Sequence, residues 1–160
     1  MQNSTEPTPP LQRRRAELSD LEALVELDGE SWPINFPDEP FSAEASRYTI
    51  ERGLRREPVY VYEVDGVLVG WLWLEFKGAW GAAHVRHLQV VSAQWGRGYG
   101  AAILRDAIAM VQDAGGKALT LNVTKSNTRA MRLYHKLGFE LDQDNGARQR
   151  MRLRLTADQR

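Results

Sequence analysis

Between a strand-like stretch and a helical pattern, the chain carries Gly96-Arg97-Gly98-Tyr99-Gly100-Ala101. Glycines at such a junction let backbone amides come close to a phosphate, and the positive end of the following helix adds attraction. A tight turn packed on a sheet would use the same residues. Read through Ala101 as a dinucleotide fingerprint, the segment lacks the acidic residue expected at the end of the next strand, and no Gly-Lys-Ser/Thr follows to make a Walker loop. Asn127 and Tyr134 stand seven residues apart, two turns along nearly one face of a helix. Taken alone, Asn127 suits a helix N-cap, and Tyr134 suits a core aromatic among Ala130, Leu133 and Leu137. His84 titrates near neutrality, which suits it to proton transfer or to a hydrogen bond beside a sheet. Trp32, Phe36 and Phe41 surround the acidic pair Asp38 and Glu39, a composition that can attract an organic cation or simply form a surface loop.

The elements that must hold these residues are legible from periodicity. Arg13 to Leu18 reads as a short strand, and Ser19 or Asp20 caps a helix carrying Leu21, Leu24, Val25 and Leu27, predicted to stop near Gly29. Ser31 to Phe41, with three prolines and three aromatics, reads as a semi-rigid loop. Ser42 caps a second helix that runs to about Arg56, before Pro58. Val59 to Val64 and Val67 to Phe76 form a hairpin about Asp65-Gly66, a turn is expected over Gly78 to Gly81, and Ala83 to Val91 is a third strand. Strict alternation along that strand sets His84, Arg86, Leu88 and Val90 on one face and Val85, His87 and Gln89 on the other. The glycine segment opens a helix ending at Gly115-Gly116. A strand over Ala118 to Val123, a helix over Asn127 to Leu137, a strand from Phe139 and a last strand over Ala147 to Leu155 complete the order. That last strand sets Arg148, Arg150, Arg152 and Arg154 on one face, a solvated stripe or a contact for an anion or a second subunit.

With 160 residues the chain suits one domain, residues 12–157, preceded by a proline-rich tail over residues 1–11 expected to be disordered. Lysine plus arginine and aspartate plus glutamate both number 21, which argues against nucleic-acid or anionic-membrane binding by bulk charge. The absence of cysteine removes thiolate catalysis and cysteine-held metal, and fits a reducing compartment. No secretory signal opens the chain and its most apolar run, Val67 to Leu74, is too short to span a bilayer, so a cytoplasmic location is expected.

Leu88-Gln89-Val90, the glycine segment, Leu121-Asn122-Val123-Thr124-Lys125-Ser126-Asn127 and Arg132-Leu133-Tyr134-His135-Lys136-Leu137-Gly138-Phe139 stand in an order and spacing that resembles the GNAT superfamily of acyl-CoA-dependent N-acetyltransferases. The resemblance implies a GNAT-like α/β (α+β) fold, a mixed, largely antiparallel sheet flanked by helices. It implies that Gly96, Arg97, Gly98, Tyr99, Gly100 and Ala101 bind the CoA pyrophosphate, although Trp95 holds a position where the family carries Gln or Arg. It also implies that the strand at Leu88, Gln89 and Val90 splays from its neighbour to bind the pantetheine arm through backbone groups, and that Asn127 contacts CoA. Tyr134 would protonate the leaving thiolate, and His84 stands where branches of the family carry a base or the residue that holds a water. Asn122 occupies a position where the ribosomal-protein N-terminal branch has Glu. The segment holding Trp32, Phe36, Asp38 and Glu39 corresponds to the loop that borders the acceptor, with Trp71 and Trp73 expected opposite it.

The reading is therefore direct acetyl transfer from acetyl-CoA to a primary amine, a small molecule or a peptide or protein amine, without metal or covalent enzyme intermediate. A homodimer is an option. The rival from another class is a non-catalytic acyl-CoA-binding module, and acceptor turnover separates the two.

Overall fold

The computed structural model describes residues 9–77 and 81–156. Residues 1–8 of the expected tail and 78–80 of the expected turn lie outside that range. Leu11, assigned to the tail by composition, packs against the core.

Seven strands form one sheet among the described residues, in spatial order β1-β2-β3-β4-β5-β7-β6. They are β1 (Gln12–Arg15), β2 (Val59–Val64), β3 (Val67–Lys77), β4 (Ala82–Val90), β5 (Ala118–Thr124), β6 (Glu140–Asn145) and β7 (Arg148–Arg154). Every neighbouring pair is antiparallel except β4 with β5. Helices α1 (Leu21–Asn35) and α2 (Ala43–Arg56) carry the core of one face, with Leu24, Val25 and Ile50 against Val61, Trp71 and Trp73. Helices α3 (Tyr99–Asp113) and α4 (Thr128–Lys136) cover the other, where Ile103, Leu104 and Tyr134 meet Leu72, Leu121 and Met151. The Asp65-Gly66 hairpin forms as expected, both residues taking the positive φ that a tight two-residue turn requires. Ser42 caps α2 through its hydroxyl, which accepts from the Ala45 amide at 3.2 Å.

Three local expectations fail. β1 ends at Arg15, and a short helical turn over Leu18–Asp20 takes the residues that follow. Helix α1 does not stop near Gly29 but continues through Pro33 to Asn35. The extension is held by tertiary contact. Trp32 lies against Phe36 and Phe41 at ring separations of 4.4 and 5.5 Å, its indole donates to the Glu39 carbonyl, and the Thr124 hydroxyl donates to the Asn35 carbonyl. Packing here outweighs the local penalty of an internal proline.

The third failure is in β4. Trp73 pairs with His87 but Leu74 with Val85, so Arg86 is an extra residue, a bulge that interrupts alternation. Beyond it the facing reverses. His84, His87 and Gln89 share the face of Trp71, Trp73 and Glu75, while Val85 and Leu88 share the face of Leu72 and Leu74. The expected grouping of His84 with Leu88 is thereby corrected.

Candidate active site

The bulge coincides with a separation of strands. β4 pairs with β5 only from Ala82↔Ala118 to Val85↔Leu121, although both continue, to Val90 and Thr124. The Val91 amide donates to Val69 in β3, so the backbone groups of Leu88 and Val90 turn the other way, into the gap. A cavity of about 560 Å³ occupies this splay, bounded by Leu88 to Val90, the glycine segment, α4 and the last turns of α1.

The glycine segment meets the cavity through backbone. Gly96 and Gly98 have φ of 80° and 84°, and a β-carbon at either would meet no heavy atom within 4 Å. Gly98 is the N-cap of α3, so the free amides of the first turn face open space, the geometry of an anion site. A β-carbon at Gly100 would lie 3.4 Å from Leu133, an ordinary van der Waals contact. Trp95 is half exposed and lines the cavity. Its indole donates to the Val90 carbonyl at 2.9 Å, and the Arg129 guanidinium lies 4.1 Å from its ring centroid.

Asn127 and Tyr134 meet in this cavity. Asn127 caps α4, its Oδ1 accepting from the Ala130 amide at 3.2 Å, which leaves the amide nitrogen for a ligand. Cap and ligand roles are thus compatible. The Tyr134 ring is buried against Phe139 at 5.9 Å, and burial pushes its hydroxyl up to about 12, so it stays a proton donor. Among the described residues that hydroxyl takes no protein hydrogen bond.

His84 lies elsewhere. It lines a second cavity of about 300 Å³ on the face of the sheet that α1 and α2 cover, with Glu75, Lys77, Arg86, Asn122, Phe36 and Arg148. Its Nδ1 is 2.7 Å from the Thr120 hydroxyl, which lies 3.5 Å from the Ala83 carbonyl. The two groups can exchange donor and acceptor roles, and in the tautomer with Nδ1 protonated Nε2 is the acceptor. Burial lowers the imidazole's affinity for a second proton, and Lys77 lowers it further. The two cavities adjoin, because Asn35 lines the first and Phe36 the second. The last turn of α1, missed by local periodicity, is their shared wall.

The other sequence candidates resolve differently. Trp71 and Trp73 line neither cavity and are buried in the core under α1 and α2. Trp71 donates to Gln89 Oε1 at 3.0 Å, which also accepts from His87 Nε2, while Gln89 Nε2 donates to the Leu27 carbonyl. Gln89 thus spends its side chain on the core, so only its backbone is available to a ligand. Trp73 donates to Glu57 and fits against Gly53, where a β-carbon would lie 2.3 Å from its ring. Trp32 braces the end of α1, and Asp38 and Glu39 are exposed and line neither cavity. Of the acceptor candidates, Phe36 alone borders the second cavity. Arg148, Arg86, Glu75 and Asn122 border it as well, and no local sequence signal marks them as site residues.

A sequence model of the acetyltransferase (GNAT) family matches residues 21–139. The chain is 29% identical over 140 residues to an N-alpha-acetyltransferase of Sulfurisphaera tokodaii, covering 79% of this chain and 78% of that protein. Its fold is similar to the PaiA N-acetyltransferase of Thermoplasma acidophilum, solved with coenzyme A, at a TM-score of 0.79 and 19% identity over 91% of this chain and 99% of that one. It is also similar to the spermidine N-acetyltransferase of Vibrio cholerae, solved with CoA and spermine, at a TM-score of 0.74 and 20% identity over 90% of this chain and 95% of that one.

Proposed function

Because this chain belongs to the GNAT acetyltransferase family, we propose a division of labour in which its two cavities take the two substrates of an acetyl-CoA-dependent N-acetyltransferase. The first takes the donor. Amides of Gly96 to Ala101 and the N-terminus of α3 hold the pyrophosphate, and the gap-facing backbone of Leu88 and Val90 accepts the pantetheine arm as a strand would. The donor fits what the chain offers there: left-handed glycines facing open space, free helix amides and a strand edge without a partner. Trp95 already occupies the Val90 carbonyl, so the Val90 N–H is the group left to stabilise an oxyanion beside it. Asn127 contributes its free amide nitrogen.

The thioester supplies an activated acyl carbon, and the protein manages two protons. His84 Nε2 accepts the amine's proton, directly or through water, from the side of the second cavity. Tyr134 donates its proton to the departing sulfur from the first. The amine displaces the thiol directly in a ternary complex, with no acyl-enzyme, because no cysteine exists and no serine sits in a nucleophile elbow. The acceptor is an amine of small-molecule or peptide origin. The observation that carries this reading is the β4/β5 splay beside the glycine-opened helix, with Tyr134 held protonated in it.

Release of free thiol from acetyl-CoA across a panel of amines, alongside calorimetry with CoA, tests it. Turnover with one amine class and CoA binding that Gly98→Val weakens are expected. CoA binding without turnover of any amine would overturn the enzymatic reading.

A further inference from the structure

The second cavity is not electrically neutral. Its lining carries three permanent cations, Lys77, Arg86 and Arg148, against one carboxylate, Glu75. Two of the cations are already positioned by aromatic rings. The Arg86 guanidinium lies 4.5 Å from the Trp73 centroid and within 3.9 Å of Glu57, and the Arg148 guanidinium lies 4.6 Å from the Phe36 centroid. Arg86 has a partial counter-ion. Arg148 has none in contact: its Nε is buried and takes no hydrogen bond among the described residues, and burial weakens its hold on its own proton against the favourable but more distant charge of Glu39. A buried guanidinium N–H without an acceptor is costly, and the half-buried side chain lies over the Phe36 ring.

The strand register places this group relative to the proposed base. His84 pairs with Thr120 and Arg148 with Thr124, so two strand spacings and four residues separate them, about 16 Å between Cα atoms. Long side chains from both positions line one cavity. Glu75 is the register partner of His84, so a carboxylate stands beside the imidazole where an incoming ammonium would arrive. Lys77 and Arg86 stand on the same two strands as Glu75, so the lining is cationic throughout, with one carboxylate set beside the imidazole.

From this cationic lining, with its single carboxylate beside His84, we infer that the acceptor is an amine that carries a carboxylate a few bonds away, its amine directed to Glu75 and His84 and its carboxylate held by Arg148. This rests on the acetyl-transfer reading above and specifies its acceptor. It also replaces the expectation of a purely cationic acceptor drawn by Asp38 and Glu39, which line neither cavity. The carboxylate gives Arg148 the counter-ion it lacks, whereas a diamine would bring a second cation toward it.

The test compares acceptors that differ only in that charge: γ-aminobutyrate with γ-aminobutyramide, and an amidated glutamyl peptide with its glutaminyl counterpart, with spermidine as the cationic control. Specificity, kcat/KM, at saturating acetyl-CoA should favour the carboxylate member of at least one pair by about tenfold to a hundredfold, the range of one charge-assisted hydrogen bond. Preference in the first pair alone identifies a free amino acid class, and preference in the second a chain terminus. Arg148→Met should erase the preference by raising the KM of the carboxylate member. A binding readout keeps the inference testable apart from catalysis and apart from the folding of the variant. In ¹⁵N-resolved NMR of the CoA-loaded protein, the Arg148 Nε–H signal should move on adding γ-acetamidobutyrate at about 10 mM and stay fixed with its amide. Equal use of both members of each pair, spermidine as the best acceptor, or an unmoved Nε–H signal would overturn the acceptor assignment while leaving acetyl transfer intact. A moving signal with no thiol released from any amine would instead overturn acetyl transfer and leave the anion pocket standing.

Discussion

Replacing Tyr134 by Phe removes one oxygen from a residue whose ring is otherwise built into the core, so its effects on stability and on rate can be separated. The ring packs against Phe139 and within the cluster that includes Leu121 and Met151, and Phe keeps all of that. The hydroxyl takes no protein hydrogen bond among the described residues, so its loss leaves no orphaned partner, and a change in folding free energy below about 1 kcal/mol is expected. Truncation to Ala empties a site only 8% exposed and should cost about 3–5 kcal/mol, which sets the scale for a structural role. The catalytic effect has a different size. If protonation of the departing sulfur limits the rate, loss of the acid lowers kcat by about 10²- to 10⁴-fold. That corresponds to about 3–5 kcal/mol at the transition state with donor affinity preserved. Thermal unfolding, calorimetric CoA affinity and single-turnover acetyl transfer, measured on the same preparation, resolve the three quantities. The hydroxyl's upward shift to about 12 means that it remains protonated through the range in which the enzyme can be assayed, so no alkaline fall in rate below about pH 10 should be traceable to it. Parent rates for Tyr134→Phe under chemistry-limited conditions would refute the acid assignment, and a fall in stability comparable to that of the Ala variant would refute the unbonded hydroxyl.

Three further outcomes follow from the same geometry. Gly98→Val forces a branched side chain onto φ of 84° and into the open space before α3, and should weaken CoA binding measured by calorimetry while the circular dichroism spectrum is retained. Asn127→Ala removes both the α4 cap and the free amide nitrogen. It should cost about 1 kcal/mol of stability by denaturant titration and raise the KM for acetyl-CoA, whereas Asn127→Asp should restore the cap without restoring the KM. His84 has a folded-state affinity for protons below its unfolded one, so it is neutral at pH 7 and its stability contribution is complete above the unfolded value near 6.5. That contribution is lost as pH falls through the lower folded value, and activity should fall over the same acidic limb. His84→Gln should abolish the limb in kcat, and an unchanged limb would assign it to the amine's own ionisation.

Much of this arrangement is legible in the sequence because it is local. The Asp65-Gly66 hairpin, the Ser42 and Asn127 caps and the glycine-opened α3 each depend on a few adjacent residues, and each forms. What local periodicity misses depends on partners distant in the chain. The end of α1 past Gly29 requires Phe41 and Thr124, and the bulge at Arg86 becomes visible only against the register of β3. The polar cavity eluded the sequence for the same reason. It takes Phe36, Glu75, His84, Asn122 and Arg148 from five segments, and an alternating arginine strand does not by itself reveal which arginine turns inward. Trp71 and Trp73 mislead locally because aromatic composition is ambiguous between a core and a binding wall. The indole bonds to Gln89 and Glu57 and the close approach to Gly53 decide for the core.

The position of α1's last turn between the two cavities bears on traffic through the enzyme. With donor and acceptor in separate cavities, as proposed above, neither would have to leave for the other to enter. Spent CoA could then be exchanged while the acetylated product still sits in its own cavity. Dead-end complexes of each product with the opposite substrate are therefore sterically permitted. Product-inhibition patterns would record them as mixed rather than strictly competitive terms. The Thr124 to Asn35 hydrogen bond, which fixes that turn to β5, would then help set how independently the two doors operate.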